Sequence, residues 1–197
     1  MKIKTLLIAA ILMISSFVSA QLPEKAEDIA PLLIGETIPE VNLKSVNGKD
    51  QNLTDLISGK PSVILFYRGG WCPYCNLHLS DIQTAEDRII ELGYQIIAIS
   101  PESPGNLIAL SEKSKLGYTL LSDADGSFMS LLGIAFKAPD RYSNRLLANS
   151  EGLNTGFLPV PSVFVVDQEG KILFEYISPD YKTRISSELL LAVLKNL

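Results

Sequence analysis

Hydrophobic and polar positions along the chain switch between two periods. Ser62-Val63-Ile64-Leu65-Phe66-Tyr67 is a short β-branched run with hardly a polar break, the pattern of a strand covered on both faces. From 73 to 92 the residues Leu79, Ile82, Ala85, Ile89 and Leu92 fall at steps of three and four with polar residues between them. That spacing predicts one amphipathic helix, closed by Gly93. Residues 95–99 read as a second buried strand, 103–115 as a second helix, 118–121 as a third strand and 126–132 as a short helix. Two more strands, 162–167 and 171–177, meet at a tight Glu169-Gly170 turn, and 187–196 closes the chain as a helix. Upstream, 34–39 is a loop feeding a short strand at 40–43, Asn47-Gly48 is a turn and 52–57 a single helical turn. Residues 134–160 carry no clear period and read as an insertion loop over the site.

Strand and helix in alternation, then a hairpin and a last helix, predict an α/β domain with a central mixed sheet sandwiched by helices. A right-handed crossover sets strand 62–67 beside strand 95–99. Residues 67–73 then lie where a central strand ends and a helix begins, the place where sites in open α/β sheets gather.

The first twenty residues follow a different pattern. Lys2 and Lys4 precede nine uninterrupted apolar residues, Leu6 to Ile14, and Ser15-Ser16-Phe17-Val18-Ser19-Ala20 ends in small residues. This is a secretory signal with cleavage expected after Ala20. The serines interrupt the run before it reaches the ~18 apolar residues that a membrane crossing needs, so no stable membrane insertion is expected after cleavage. The chain divides into a signal at 1–20, a lead-in at 21–33 and one domain at 34–197, with a secreted or periplasmic destination. There disulfides persist.

Composition narrows the chemistry. At 197 residues and 47% hydrophobic content the chain can build one packed core. A net charge of −5 offers no basic surface for a phosphate backbone, which argues against nucleic acid as a partner. The two cysteines, Cys72 and Cys75, stand two residues apart. Cys72 falls at the expected helix N-cap, with Pro73 at the first helical position, where its missing N–H costs nothing. Its thiolate would face free N–H groups and the positive end of the helix dipole, and Cys75, one turn inward, could resolve what Cys72 forms. A purely structural bridge over so short a loop gains little chain entropy. His78, the only histidine, completes a C-x2-C-x2-H cluster, but a closed zinc site wants four ligands and no second Cys/His pair exists. No metal or organic cofactor is expected, and His78 reads as a partly solvated surface group.

The run Ile64-Leu65-Phe66-Tyr67-Arg68-Gly69-Gly70-Trp71-Cys72-Pro73-Tyr74-Cys75-Asn76-Leu77 resembles the peroxiredoxin-like branch of the AhpC/TSA family, within the thioredoxin-fold superfamily. So do residues 158–167, 179–184, 34–39 and 123–126, in that family's order along the chain. The resemblance implies a thioredoxin-like fold and a cis proline at Pro161. It implies an antioxidant activity in which Cys72 reduces a hydroperoxide and Cys75 condenses with the sulfenic acid. An external dithiol donor, such as a thioredoxin-like protein, would regenerate the pair. Arg68 and Arg184 would supply positive charge, with Trp71, Pro73 and Pro161 supporting. Typical peroxiredoxins carry Thr or Ser three residues before the peroxidatic cysteine and proline four residues earlier still; here those positions are Gly69 and Leu65. Trp71-Cys72-Pro73-Tyr74-Cys75 also resembles the site of disulfide oxidoreductases, so a protein disulfide is the alternative substrate. Copper handling through the two thiols is a third reading.

Overall fold

The computed structural model describes residues 21–114 and 116–197; the stretch read as an export signal lies outside the described residues. In chain order the elements are β1 (Asn42–Ser45), β2 (Asp50–Asn52), α1 (Leu53–Ile57), β3 (Ser62–Phe66), α2 (Pro73–Thr84), α3 (Glu86–Glu91), β4 (Gln95–Ser100) and α4 (Pro104–Ser114). There follow β5 (Thr119–Ser122), α5 (Ser127–Leu131), β6 (Ala135–Lys137), α6 (Ser143–Asn149), β7 (Phe157–Pro159), β8 (Ser162–Val166), β9 (Ile172–Ile177) and α7 (Ser187–Leu194). This is the mixed α/β sandwich that the alternation predicts.

Among the described residues, seven strands form the central sheet in the order β2-β1-β5-β4-β3-β8-β9. β3, β4 and β5 run parallel, with Val63 opposite Ile96 and Leu65 opposite Ala98, and β8 lies antiparallel on the other flank of β3. Every residue of β3 is buried because helices cover both faces. Val63, Leu65 and Tyr67 enter the layer under α2, α3, α4 and α7, whereas Ile64 and Phe66 enter the layer under α1 and α5. A slip of one residue would exchange the two sets and the cores with them.

Three features differ from the sequence expectation. The helix expected at 73–92 breaks at Ala85, whose φ of −105° and ψ of 0° end α2 and start α3. Thr84 Oγ1 donates to the Asp81 carbonyl at 2.6 Å, a side-chain bond that competes with the helical ladder, yet Ile82, Ala85 and Ile89 stay in one core. Residues 134–160 are not a loop but a two-stranded ribbon, β6 against β7, with α6 between them. Their apolar positions are too sparse to show a period, but Ala138, Leu146 and Leu158 build a small core of their own. The Val160–Pro161 bond is trans, not cis. Val160 N–H donates to the Ile134 carbonyl at 2.8 Å and Ser178 N–H to the Pro161 carbonyl at 3.1 Å, so the chain passes from β7 into β8 in the ordinarily preferred isomer. The lead-in packs on the domain: Leu32 N–H donates to the Leu132 carbonyl at 3.1 Å, Lys137 N–H to the Pro23 carbonyl at 2.8 Å, and Leu22, Ile29 and Leu32 rest on the α5 side of the core.

Candidate active site

The site is built where β3 runs out. Tyr67 N–H donates to the Ile99 carbonyl at 3.1 Å, adding one more rung to the parallel ladder. The chain then turns at Gly69, whose φ of +135° lies where L side chains are rarely found. A β-carbon there would run into the Trp71 indole and stand 2.9 Å from the Glu102 carboxyl carbon. Cys72 N–H closes the turn on the Gly69 carbonyl at 3.1 Å, and the Asn76 side-chain amide holds the Gly70 carbonyl at 2.8 Å. Cys72 is the N-cap of α2 and Pro73 opens its first turn. The Cys75 and Asn76 N–H groups both donate to the Cys72 carbonyl at 3.1 Å.

Both cysteines are free thiols, and Cys72 is 1% and Cys75 0% exposed. Their sulfurs share a hydrogen bond that splits their acidities. Accepting it, with help from the Cys75 N–H and the positive charges of Arg68 and Arg184, brings the Cys72 thiol down to about 6 against the opposing effect of burial. Cys75, which donates it, is pushed well up by that bond and by burial. One sulfur is thus a thiolate near neutrality while its neighbour keeps its proton. Arg184 Nη2 stands 3.8 Å from Cys75 Sγ, and its Nη1 donates to the Thr183 carbonyl at 2.7 Å. A turn bound to Asp180, through Lys182 N–H and Thr183 Oγ1, presents this arginine.

Arg68 is 4% exposed. Its guanidinium lies 4.4 Å from the Tyr181 ring, 4.8 Å from Tyr142 and 5.2 Å from Trp71, so three aromatic faces take up a charge that no carboxylate pairs with among the described residues. Trp71, half-buried, also stacks against Tyr142 at 5.4 Å. Pro161 is buried on the wall of a groove of ≈ 250 Å³ beside Arg68, together with Phe136, Tyr142, Leu158 and Tyr181. The structure therefore brings Arg68, Trp71 and Arg184 to the CxxC turn and sets Pro161 across the Arg68 groove.

One residue of the site, Glu102, escapes the sequence reading, and another, His78, departs from it. Glu102, 3% exposed, accepts hydrogen bonds from Gly70 N–H at 2.8 Å and from Ser100 Oγ at 3.5 Å. Burial, with a smaller contribution from the Cys72 charge, pushes its carboxyl up to about 7 despite those bonds. His78 is a buried core-facing group rather than a solvated one, because residue 78 falls on the inner face of α2. Its Nε2 has no hydrogen-bond partner among the described residues, and burial together with the Arg184 charge pushes the imidazole down to about 4. Among the described residues no cluster of three or more His, Cys, Asp or Glu side chains is placed to hold a metal ion.

Such a pair can take an electrophilic oxygen or sulfur on one thiolate and release it with the second thiol. Residues 34–174 match the AhpC/TSA family. Peroxiredoxin Bcp of Escherichia coli K12 is 27% identical over 165 residues, which span 84% of this chain and 97% of that protein. Among solved structures, reduced Prx3 of Vibrio vulnificus in complex with H2O2 aligns with a TM-score of 0.71 at 20% identity, over 83% of this chain and 96% of that one. Peroxidoxin BcpB of Mycobacterium tuberculosis aligns with a TM-score of 0.66 at 23% identity, over 83% and 97%.

Proposed function

Since this chain belongs to the AhpC/TSA family, we propose that it is an exported thiol peroxidase in which Cys72 reduces hydroperoxides and Cys75 resolves the product. The observation that carries this reading is the split in acidity between the two sulfurs. With its thiol near 6, Cys72 is about 90% thiolate at neutral pH, against a few per cent for an ordinary thiol. The thiolate attacks one peroxide oxygen, the O–O bond breaks, and the leaving alkoxide or hydroxide takes a proton. Cys72 is left as a sulfenic acid, which Cys75 converts to a disulfide with loss of water. An external dithiol, such as a thioredoxin-like protein, then returns both thiols.

Where typical peroxiredoxins offer a Thr or Ser hydroxyl, Gly69 offers none, and its φ leaves no room for one. Polarisation of the O–O bond falls instead to Arg68 and Arg184. The missing hydroxyl also favours a second reading, a reductase of protein disulfides that uses the same two thiols in the same roles.

The test is stopped-flow Trp71 fluorescence of residues 21–197 mixed with one equivalent of hydrogen peroxide, with Cys72→Ser as control. A fast Cys72-dependent change ending in the Cys72–Cys75 disulfide is expected. A rate no better than that of a free thiol would move the assignment to disulfide exchange, to be read by insulin reduction. For export, the full chain expressed in a Gram-negative host is expected in the periplasmic fraction beginning at Gln21; an intact Met1 in the cytosol would sink that part.

A further inference from the structure

In a chain with a net charge of −5, four of the five arginines, Arg68, Arg141, Arg145 and Arg184, stand at the redox turn and its aromatic neighbours. Only Arg88, on α3, lies elsewhere. None of the four has an ion-pair partner among the described residues. We infer that the groove beside Arg68 is a binding site for an organic carboxylate with an apolar body, and that the hydroperoxide this protein takes best carries such a carboxylate. The substrate half of that inference rests on the peroxidase reading above; the binding half does not.

The groove has the two halves such a ligand needs. Phe136, Leu158, Pro159, Pro161 and Pro179 give it apolar walls. Its ≈ 250 Å³ holds about eight non-hydrogen atoms at a water-like ~30 Å³ each, the size of a medium-chain acid rather than of hydrogen peroxide. The charged half is Arg68 with Arg141. Arg68 lines the groove at 4% exposure, and its Nε is buried without a hydrogen-bond partner among the described residues. The Trp71, Tyr142 and Tyr181 rings offset part of the cost of burying that charge but supply no acceptor to Nε. Arg141 lies 4.8 Å from the same Tyr142 ring, and hydrogen bonds from both guanidiniums draw the Tyr142 hydroxyl below the ordinary phenol range. Two cations thus meet at one hydroxyl. The other charges along the groove do not cancel them: Glu24 is bridged to Lys137 at 3.1 Å, and Lys25 offsets Glu27.

A carboxylate accepts paired N–H bonds from a guanidinium, which a neutral peroxide does not. A neutral alkyl hydroperoxide would leave the unpaired guanidiniums without a use, and an acidic peptide would leave the apolar walls without one. Arg68 stands four residues before Cys72, and its charge helps to hold the Cys72 thiolate, so a ligand on Arg68 is kept beside the reacting sulfur. Cys72 then takes the terminal peroxide oxygen, the O–O bond breaks, and the remaining alkoxide takes one proton from solvent and leaves as the hydroxy acid. Cys72 is oxidised to the sulfenic acid as the peroxide is reduced.

Octanoate is the first probe, titrated into the reduced protein and read by Trp71, the single tryptophan, which touches both Arg68 and Tyr142. It should bind about tenfold or more tighter than octan-1-ol, which keeps the body, and than acetate, which keeps the charge. Arg141→Gln, at an exposed position, should weaken octanoate about fivefold, and Arg141→Lys should recover part of the loss. Octan-1-ol binding as tightly as octanoate, or an unchanged octanoate affinity in Arg141→Gln, would overturn the site. So would hexaglutamate binding where octanoate does not, the mark of an acidic protein partner. For the substrate, a hydroperoxyoctanoate should oxidise Cys72 about tenfold or more faster than its methyl ester, and Arg141→Gln should shrink that ratio below about threefold. Equal rates for acid and ester beside tight octanoate binding would overturn the substrate assignment. If no hydroperoxide reacts faster than with a free thiol, the peroxidase reading fails by itself, and the octanoate titration still decides the groove.

Discussion

Removing Cys75 tests what makes Cys72 acidic. The hydrogen bond from the Cys75 thiol is the largest influence holding the Cys72 thiol near 6, ahead of the two arginines. A hydrogen bond to a charged group is worth about 1.5–3 kcal/mol, and a pH unit about 1.4 kcal/mol, so Cys75→Ala should raise the Cys72 midpoint by about 1–2 units. At about pH 6 its thiolate fraction would then fall from about one half to between about one tenth and one hundredth. The variant has a single thiol, so the ultraviolet absorbance of the thiolate against pH reads that midpoint directly, and the pH dependence of iodoacetamide alkylation checks it. Arg68→Met and Arg184→Met should each raise the midpoint by less. A Cys75→Ala midpoint within about half a unit of wild type, or an arginine variant with the larger effect, would refute the reasoning.

Placing Thr at Gly69, to imitate the usual hydroxyl, should not speed peroxide reduction. Its φ of +135° and the crowding against Trp71 and Glu102 should cost about 1–3 kcal/mol, seen as a lower melting temperature; a faster and equally stable Gly69→Thr would contradict the geometry. His78 is held neutral down to about 4, whereas an unfolded chain protonates it near 6.5, so stability is lost as the pH falls through that window. Glu102 and Asp123, with raised carboxyls, act in the opposite sense there, so only a comparison of variants isolates the histidine. Relative to wild type, His78→Leu should gain up to about 3 kcal/mol between pH 6.5 and 4 in urea melts, and a constant difference across that range would count against a buried neutral imidazole.

The β3–turn–α2 core of the site was legible because its signals are local: a continuous apolar strand, a glycine pair, a proline at the first helical position and a helical period. What escaped depends on partners far along the chain. Glu102 lies 32 residues from the Gly70 N–H it accepts, inside a polar Ser-Pro-Glu-Ser run that reads only as a helix start. Its one sequence signal is an acid just past the carboxyl end of a buried strand. Tyr142 and Tyr181 meet Arg68 from the ribbon insertion and from the turn before α7, segments without a period to reveal their facing. His78 stands a step of three from Cys75 and so on the inner face of α2, a phase that its polar residue type masks in the sequence. The break at Ala85 leaves the apolar stripe intact and so leaves no trace in the pattern.

The lead-in has a consequence for where this protein begins. The family match starts at residue 34, but the folded body starts earlier: the Ala30 carbonyl lies where a side chain on Gly133 would go, so the bare glycine is the imprint of a strap laid across it. A fragment trimmed to the family boundary would lift that strap away, expose the rows beneath Ile29 and Leu32, and strand the Leu132 carbonyl and Lys137 amide. The family match marks one boundary, while the unit that must be cut, tagged or crystallised intact is longer by the strap.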